Sequence, residues 1–330
     1  MSHPWSPGAV TGIGSLPGTD PREAATLVLG ELPALPHLPE LPARGPGAEM
    51  IGRAASLLVE LPVELVPTGW RLTAAPGRDV RRARDDLARD LDALEEAATG
   101  YVGPVKLQVT GPWTLAAGLE LPTGHRAVTD QGAVRDVAAS LAEGIRTHLA
   151  DVGSRVPGAA LVLQLDEPAL PAVLGGRVPT PSGYGTVRAV EQQVVAQILQ
   201  DVLTVGDEGA RVVHCCAPDV PLGLLRDAAA DALSVDAALL TVAQYDQLGE
   251  AVEAGVSLWL GVLPATTAPS LDTARARLDE LWGELGFNAD QQAASVVPTP
   301  ACGLAGSTPD QVRRTLAVLR DVGASLLDRS

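Results

Sequence analysis

From residue 105 onward the chain repeats one rhythm, a short apolar run followed by an amphipathic stretch, and this constrains the fold more than any other feature of the sequence. Val105–Pro112, Ala160–Pro168, Arg211–Cys216, Ala232–Asp236, Val256–Val262 and Ala294–Val297 read as strands. Helices are expected between and after them, at 132–152, 186–205, 221–230, 245–254, 271–285 and 309–327. Strands that alternate with helices pair in parallel through right-handed crossovers, so the expected class is α/β.

The first hundred residues are less regular. Val10–Ser15 is a short extended piece, followed by a helix from Asp20 to about Glu31. Residues 34–47 carry four prolines, a helix is expected at 48–61, and Pro62–Gly69 with Trp70–Thr73 reads as a hairpin. Leu87, Leu91 and Leu94 recur at helical spacing within an amphipathic helix over 77–100. Strand starts near residues 10, 34, 105, 160, 211, 232, 256 and 294 favour a closed (β/α)8 TIM barrel over an open doubly wound sheet. With no linker and no short-period repeat, residues 1–330 are expected to form a single barrel domain.

The formal net charge of −16 argues against nucleic acid and anionic membranes, because cationic side chains supply most of the affinity for phosphate. Met1-Ser-His-Pro-Trp5 lacks the basic start and apolar stretch of a signal peptide, and no apolar run approaches the ~18 residues of a spanning helix. A cytoplasmic chain with reduced thiols is the expectation.

In a barrel the C-terminal strand ends converge on one mouth. Gly14-Ser15, Thr110, Asp166-Glu167-Pro168, His214-Cys215-Cys216, Asp236 and Cys302 all fall at or just after such ends, and the three cysteines are all the chain has. Alternation along a strand puts His214 and Cys216 on one face and turns Cys215 to the other. Any one of these residues alone reads as an ordinary core side chain. Two thiolates, an imidazole and a carboxylate around a cavity are the donors zinc prefers. Asp166-Glu167 reads as a paired-carboxylate site for an amino group or a proton, and equally as a strand-ending triplet with Pro168. The Gly12–Ser15 segment offers backbone N–H groups and a hydroxyl to a carboxylate, or serves only as a tight turn. His37 reads as a loop residue, and His3, His125 and His148 as surface residues.

In four ordered places the chain resembles the C-terminal catalytic barrel of the cobalamin-independent methionine synthase family: Thr11–Ser15, Leu163–Ala169, His214-Cys-Cys216 and Ala301-Cys-Gly-Leu304. The resemblance implies a zinc-dependent methyltransferase acting on the homocysteine thiol, with Zn2+ held by His214, Cys216 and Cys302. The family's glutamate ligand falls on Asp236, one methylene shorter. The resemblance places the substrate carboxylate on Ile13, Gly14 and Ser15, the amino group on Asp166, and a further acidic contact on Glu49. Expected partners are a homocysteine-like thiol and a methyl donor, either methyltetrahydrofolate or a methylated corrinoid protein. A thiol alkyltransferase with another acceptor, and a non-catalytic zinc- or amino-acid-binding barrel, are the alternatives.

Two departures stand out. The family's second, N-terminal barrel has no counterpart within 330 residues, and where its seventh strand ends in an Asp-x-His segment linked to proton delivery, this chain reads Leu260-Gly-Val-Leu-Pro264.

Overall fold

The structure, a computed structural model, describes residues 3–205, 209–265 and 270–328. Met1 and Ser2, the start of the segment read for a leader, lie outside the described residues. In chain order, α1 (Pro21–Glu31) and α2 (Met50–Leu57) precede a hairpin of β1 (Val63–Val66) and β2 (Gly69–Leu72), and α3 (Arg78–Ala97) leads into β3 (Gly103–Thr110). Next come α4 (Pro112–Gly118), β4 (Leu119–Glu120), α5 (Gln131–Arg155), β5 (Ala159–Asp166), α6 (Leu170–Leu174) and α7 (Gln192–Leu203). The remaining elements are β6 (Ala210–Cys215), α8 (Leu222–Asp227), β7 (Ala232–Asp236), α9 (Val242–Glu253), β8 (Ser257–Leu263), α10 (Leu271–Leu285), α11 (Ala289–Ser295), β9 (Val296–Pro300) and α12 (Pro309–Leu327).

Six strands pair in parallel in the order β3-β5-β6-β7-β8-β9, each joined to the next by a helical crossover. The sheet closes on itself through two irregular segments. Leu38 N–H donates to the Lys106 carbonyl and Lys106 N–H to Pro36, both at 2.9 Å; Glu40 N–H reaches Gly14, and Thr11 N–H reaches Pro298 on β9. Residues 10–15 and 36–40 therefore stand where the first two strands were expected, with only isolated bridges rather than regular ladders. Pro33, Pro36, Pro39 and Pro42 remove backbone donors at intervals of three, which keeps the second segment from running a continuous ladder. Helix α7 begins at Gln192 rather than near Thr186, because residues 176–190 form a loop pinned by a Pro179–Thr186 bridge.

The barrel interior is layered. At its base Trp5, Leu35, Val162, Val212, Ala232, Trp259 and Val297 form an apolar plug, with the Trp5 and Trp259 rings edge to face at 5.1 Å. The parallel register sets Thr110, Asp166, His214 and Ser234 side by side across β3, β5, β6 and β7, near the C-terminal mouth. Two histidines depart from expectation: His37 is fully buried in the barrel wall and His148 is buried on α5. Among the described residues no helix is long and apolar enough to cross a membrane.

Candidate metal centre

Strand β6 carries His214 into the barrel and turns Cys215 outward, where it is 1% exposed in the apolar layer between sheet and helices. Burial pushes the Cys215 thiol up to about 12, the behaviour of a small hydrophobe. Cys216 follows the end of β6, and Cys302 follows β9. The chain thus supplies two sulfurs from strand ends far apart in sequence, and they lie 3.2 Å from each other. His214, Cys216 and Cys302 place one donor atom each within 4.8 Å of the other two.

The imidazole is oriented from behind. Ser234 Oγ, one strand away, lies 2.9 Å from His214 Nδ1, while the buried Nε2 has no hydrogen-bond partner. A buried ring nitrogen without a partner is costly unless something else binds it, and an imidazole engaged at one nitrogen presents the other to a metal. The sulfurs divide their proton unevenly. The hydrogen bond from Cys216, helped by His214, lowers the Cys302 thiol, whereas the same bond and burial push Cys216 up. Two paired sulfurs beside an unpartnered imidazole nitrogen are a donor set suited to a soft or borderline divalent cation.

Asp236 stands outside this group of three. At the end of β7 its Oδ1 accepts the Ala238 N–H at 2.8 Å, and burial raises its carboxyl above the usual range.

The remaining expected residues gather at the same mouth. The Ser15 carbonyl accepts the Leu304 N–H at 2.8 Å, which brings the first segment against the Cys302-Gly303 turn. A Cβ added to Gly303 would stand 2.0 Å from Ser15 Oγ, so only glycine fits there without moving the serine. Asp166 is buried, with its Oδ1 accepting Gln164 Nε2 at 2.7 Å. Burial raises its carboxyl, opposed by His214 and Lys106. Glu49 is exposed at the N-cap of α2; the neighbouring Met50 carbonyl accepts the Thr110 hydroxyl at 2.8 Å, which places Glu49 on the rim above β3.

The adjacent carboxylates Asp166 and Glu167 do not act as a pair. Glu167 is fully buried and turned to the start of α4, where it accepts the Trp113 and Thr114 N–H groups and the Thr114 hydroxyl. It is a structural cap for that helix, which is the strand-ending reading of the triplet.

Beneath the mouth lies a polar layer that strand-end reasoning overlooked. Lys106, fully buried, donates to the Ile13 carbonyl at 2.7 Å and to Gln108 Oε1 at 3.2 Å. Glu40 faces Arg53 at 3.5 Å, and Arg53 in turn binds Asp90. Burial lowers Lys106 to about 7, opposed by Asp166 and Glu40, and raises Glu40 to about 7, opposed by Arg53. The signal was present in the alternation itself: Lys106, Gln108 and Thr110, and Gln164 with Asp166, put polar groups at every second position of strands whose other face is apolar.

A family model described as the catalytic domain of cobalamin-independent synthase matches residues 8–325. Among solved structures, the fold is similar to a B12-independent methionine synthase from Shewanella sp. W3-18-1 in complex with selenomethionine. The TM-score is 0.62 at 12% identity, with 97% of each chain covered. It is also similar to a methyltransferase from Methanosarcina mazei, with a TM-score of 0.59 at 15% identity over 95% of this chain and 93% of that one. At such identities the likeness speaks for the fold alone. No curated protein matches the sequence at a significant level.

Proposed function

Given that the chain belongs to the family of cobalamin-independent synthase catalytic domains and is therefore a methyltransferase, we propose that it methylates the thiol of homocysteine or a related thiol, with zinc held by His214, Cys216 and Cys302. The observation that carries this reading is the convergence of two sulfurs and an unpartnered, buried imidazole nitrogen at the mouth of the barrel.

Zinc, when bound, supplies a Lewis acid that keeps an acceptor thiol deprotonated at neutral pH. The chain's own residues do the rest. Ser234 holds the His214 ring with Nε2 free for the cation. Asp166 offers a buried carboxylate to the acceptor's ammonium group, and Ile13, Gly14 and Ser15 meet its carboxylate, with Glu49 on the rim. Two anchors leave the acceptor sulfur little freedom except to face the metal ligands, which favours in-line attack on the methyl carbon. The new S–C bond forms as the donor departs with the electron pair of the broken bond. Asp236, whose Oδ1 accepts the Ala238 N–H, would offer its second carboxylate oxygen to the cation, and the acceptor sulfur would be the other candidate donor.

Strand β8 ends in Gly261-Val-Leu263 and is followed by Pro264, with no acid–base side chain in that stretch. This favours a donor whose leaving group needs no proton, such as a methylated corrinoid protein, over methyltetrahydrofolate, whose departing nitrogen benefits from protonation. A cytoplasmic location suits such chemistry.

The test is elemental analysis of the purified protein with Cys216→Ala and Cys302→Ala alongside. Near-stoichiometric zinc in the wild type, lost in both variants, is expected. A wild-type protein without zinc, or either variant at full occupancy, overturns the assignment.

A further inference from the structure

The two halves of the amino-acid site are tied together by one side chain. Gln164 sits on β5, fully buried, two residues before Asp166 and on the same inward face. Its Nε2 donates both of its hydrogens, one to the Ile13 carbonyl at 3.0 Å and the other to Asp166 Oδ1 at 2.7 Å. Both neighbours are acceptors, so only the amide nitrogen, not the amide oxygen, can satisfy them; the orientation of the side chain is fixed by its partners. Lys106 grips the Ile13 carbonyl from a second direction at 2.7 Å, and Gln108, packed under Gly14, is held by its own bond to the Leu38 carbonyl at 2.6 Å.

We infer that Gln164 is a positioning residue that sets the separation between the Ile13–Ser15 segment and Asp166, and that this fixed separation selects an α-amino-acid thiol over a simple thiol. The inference rests on the function proposed above and deepens it. An α-amino acid carries its ammonium and carboxylate on one carbon, so their spacing is invariant. A site that recognises both must hold its anion-binding and cation-binding groups at a matching spacing before the ligand arrives. Ile13 is on an irregular segment with no regular ladder to hold it, whereas Asp166 is on a strand paired on both sides. Lys106 and single backbone bonds at Gly14 and Ser15 hold the segment to other parts of the barrel, and Gln164 is the side chain that bonds both it and Asp166. Gln164 supplies that tie with two short bonds in a water-poor interior, where such bonds are costly to leave unmade. Its role passes through Asp166 and the segment, and it does not touch the reacting sulfur.

The experiment compares calorimetric Kd values of L-homocysteine and propane-1-thiol for the zinc-loaded protein, for wild type and Gln164→Met. Methionine fills the same volume and donates no hydrogen bond. Wild type is expected to prefer homocysteine, and the variant to lose at least about tenfold of that preference through weaker homocysteine binding, a loss of about 1.4 kcal/mol. Propane-1-thiol affinity and zinc content should stay unchanged, an outcome that a general loosening of the barrel would not produce. Should Gln164→Met fail to fold, Gln164→Asn keeps the amide but is one methylene too short to reach both partners, and the same loss of preference is expected. Unchanged preference in a folded variant overturns this inference alone. A wild-type protein that binds both thiols equally overturns both this inference and the acceptor proposed above.

Discussion

Ser234 Oγ and His214 Nδ1 face each other at 2.9 Å across adjacent parallel strands, and this one contact decides which nitrogen of the imidazole looks toward the two sulfurs. Ser234→Ala removes the contact without touching any metal donor. Zinc affinity, read by competition with a chelator, is expected to fall about 10- to 100-fold. An unchanged affinity would show that the ring is held by packing alone.

Cys215 is the internal control for its neighbours. It lies in the apolar layer outside the barrel, so Cys215→Ala is expected to keep full zinc occupancy while lowering stability by about 1 kcal/mol, the order of one buried methylene-sized group. Denaturant unfolding and metal analysis on the same sample check both halves. The native Cys215 thiol should also resist alkylation, because burial holds it protonated.

The close approach of Gly303 to Ser15 predicts a coupled pair of substitutions. Gly303→Ala drives a methyl group into the Ser15 hydroxyl and is expected to cost about 1–3 kcal/mol, as overpacking does. In a Ser15→Ala background the obstruction is gone, so the same change should cost much less. A double-mutant cycle measured by thermal unfolding gives the coupling directly, and additive effects would rule out the contact.

Glu40 gives the pH dependence a sign. Burial raises its carboxyl from 4.5 to about 7, so between these values the folded chain binds more protons than the unfolded one. Its contribution to stability is present in full below 4.5 and is lost as pH rises through about 7. Glu40→Gln is expected to flatten the decline of unfolding free energy over that window. A slope equal to the wild type's would place the proton elsewhere.

Much of the barrel was legible because period and spacing are written locally: β5 through β7 and α10 fall within a residue or two of the segments read from the sequence. What was not legible was pairing that depends on the neighbour. Residues 10–15 and 36–40 occupy strand positions without strand ladders, since whether a proline-interrupted segment can lie against β3 is decided by Lys106, sixty-six residues beyond Glu40. The grouping of His214, Cys216 and Cys302 was visible because those residue types are scarce in this chain. For Glu167 the choice between a carboxylate pair and a strand-ending triplet stayed open, because the helix N-terminus that absorbs it is built by Trp113 and Thr114, on a different strand–helix unit. Lys106 and Gln164 escaped notice because polar side chains at alternate strand positions resemble a solvated face, until closure of the barrel puts that face inside, and Glu40 because it lies in the proline-interrupted segment.

The bond from Leu304 N–H to the Ser15 carbonyl bears on biosynthesis. It joins the first barrel segment to the turn that carries Cys302, at opposite ends of the fold in chain order. A ribosome that has extruded the chain only through β8 has released His214 and Cys216 but neither Cys302 nor the partner of Ser15. No nascent fragment of that length can bring the three proposed donors together, and on the proposed assignment metal capture has to wait until the closing strand has emerged. Zinc uptake by a series of stalled chains would accordingly rise in one step, at the length that frees Leu304 from the exit tunnel, and would time-stamp the moment the circle is shut.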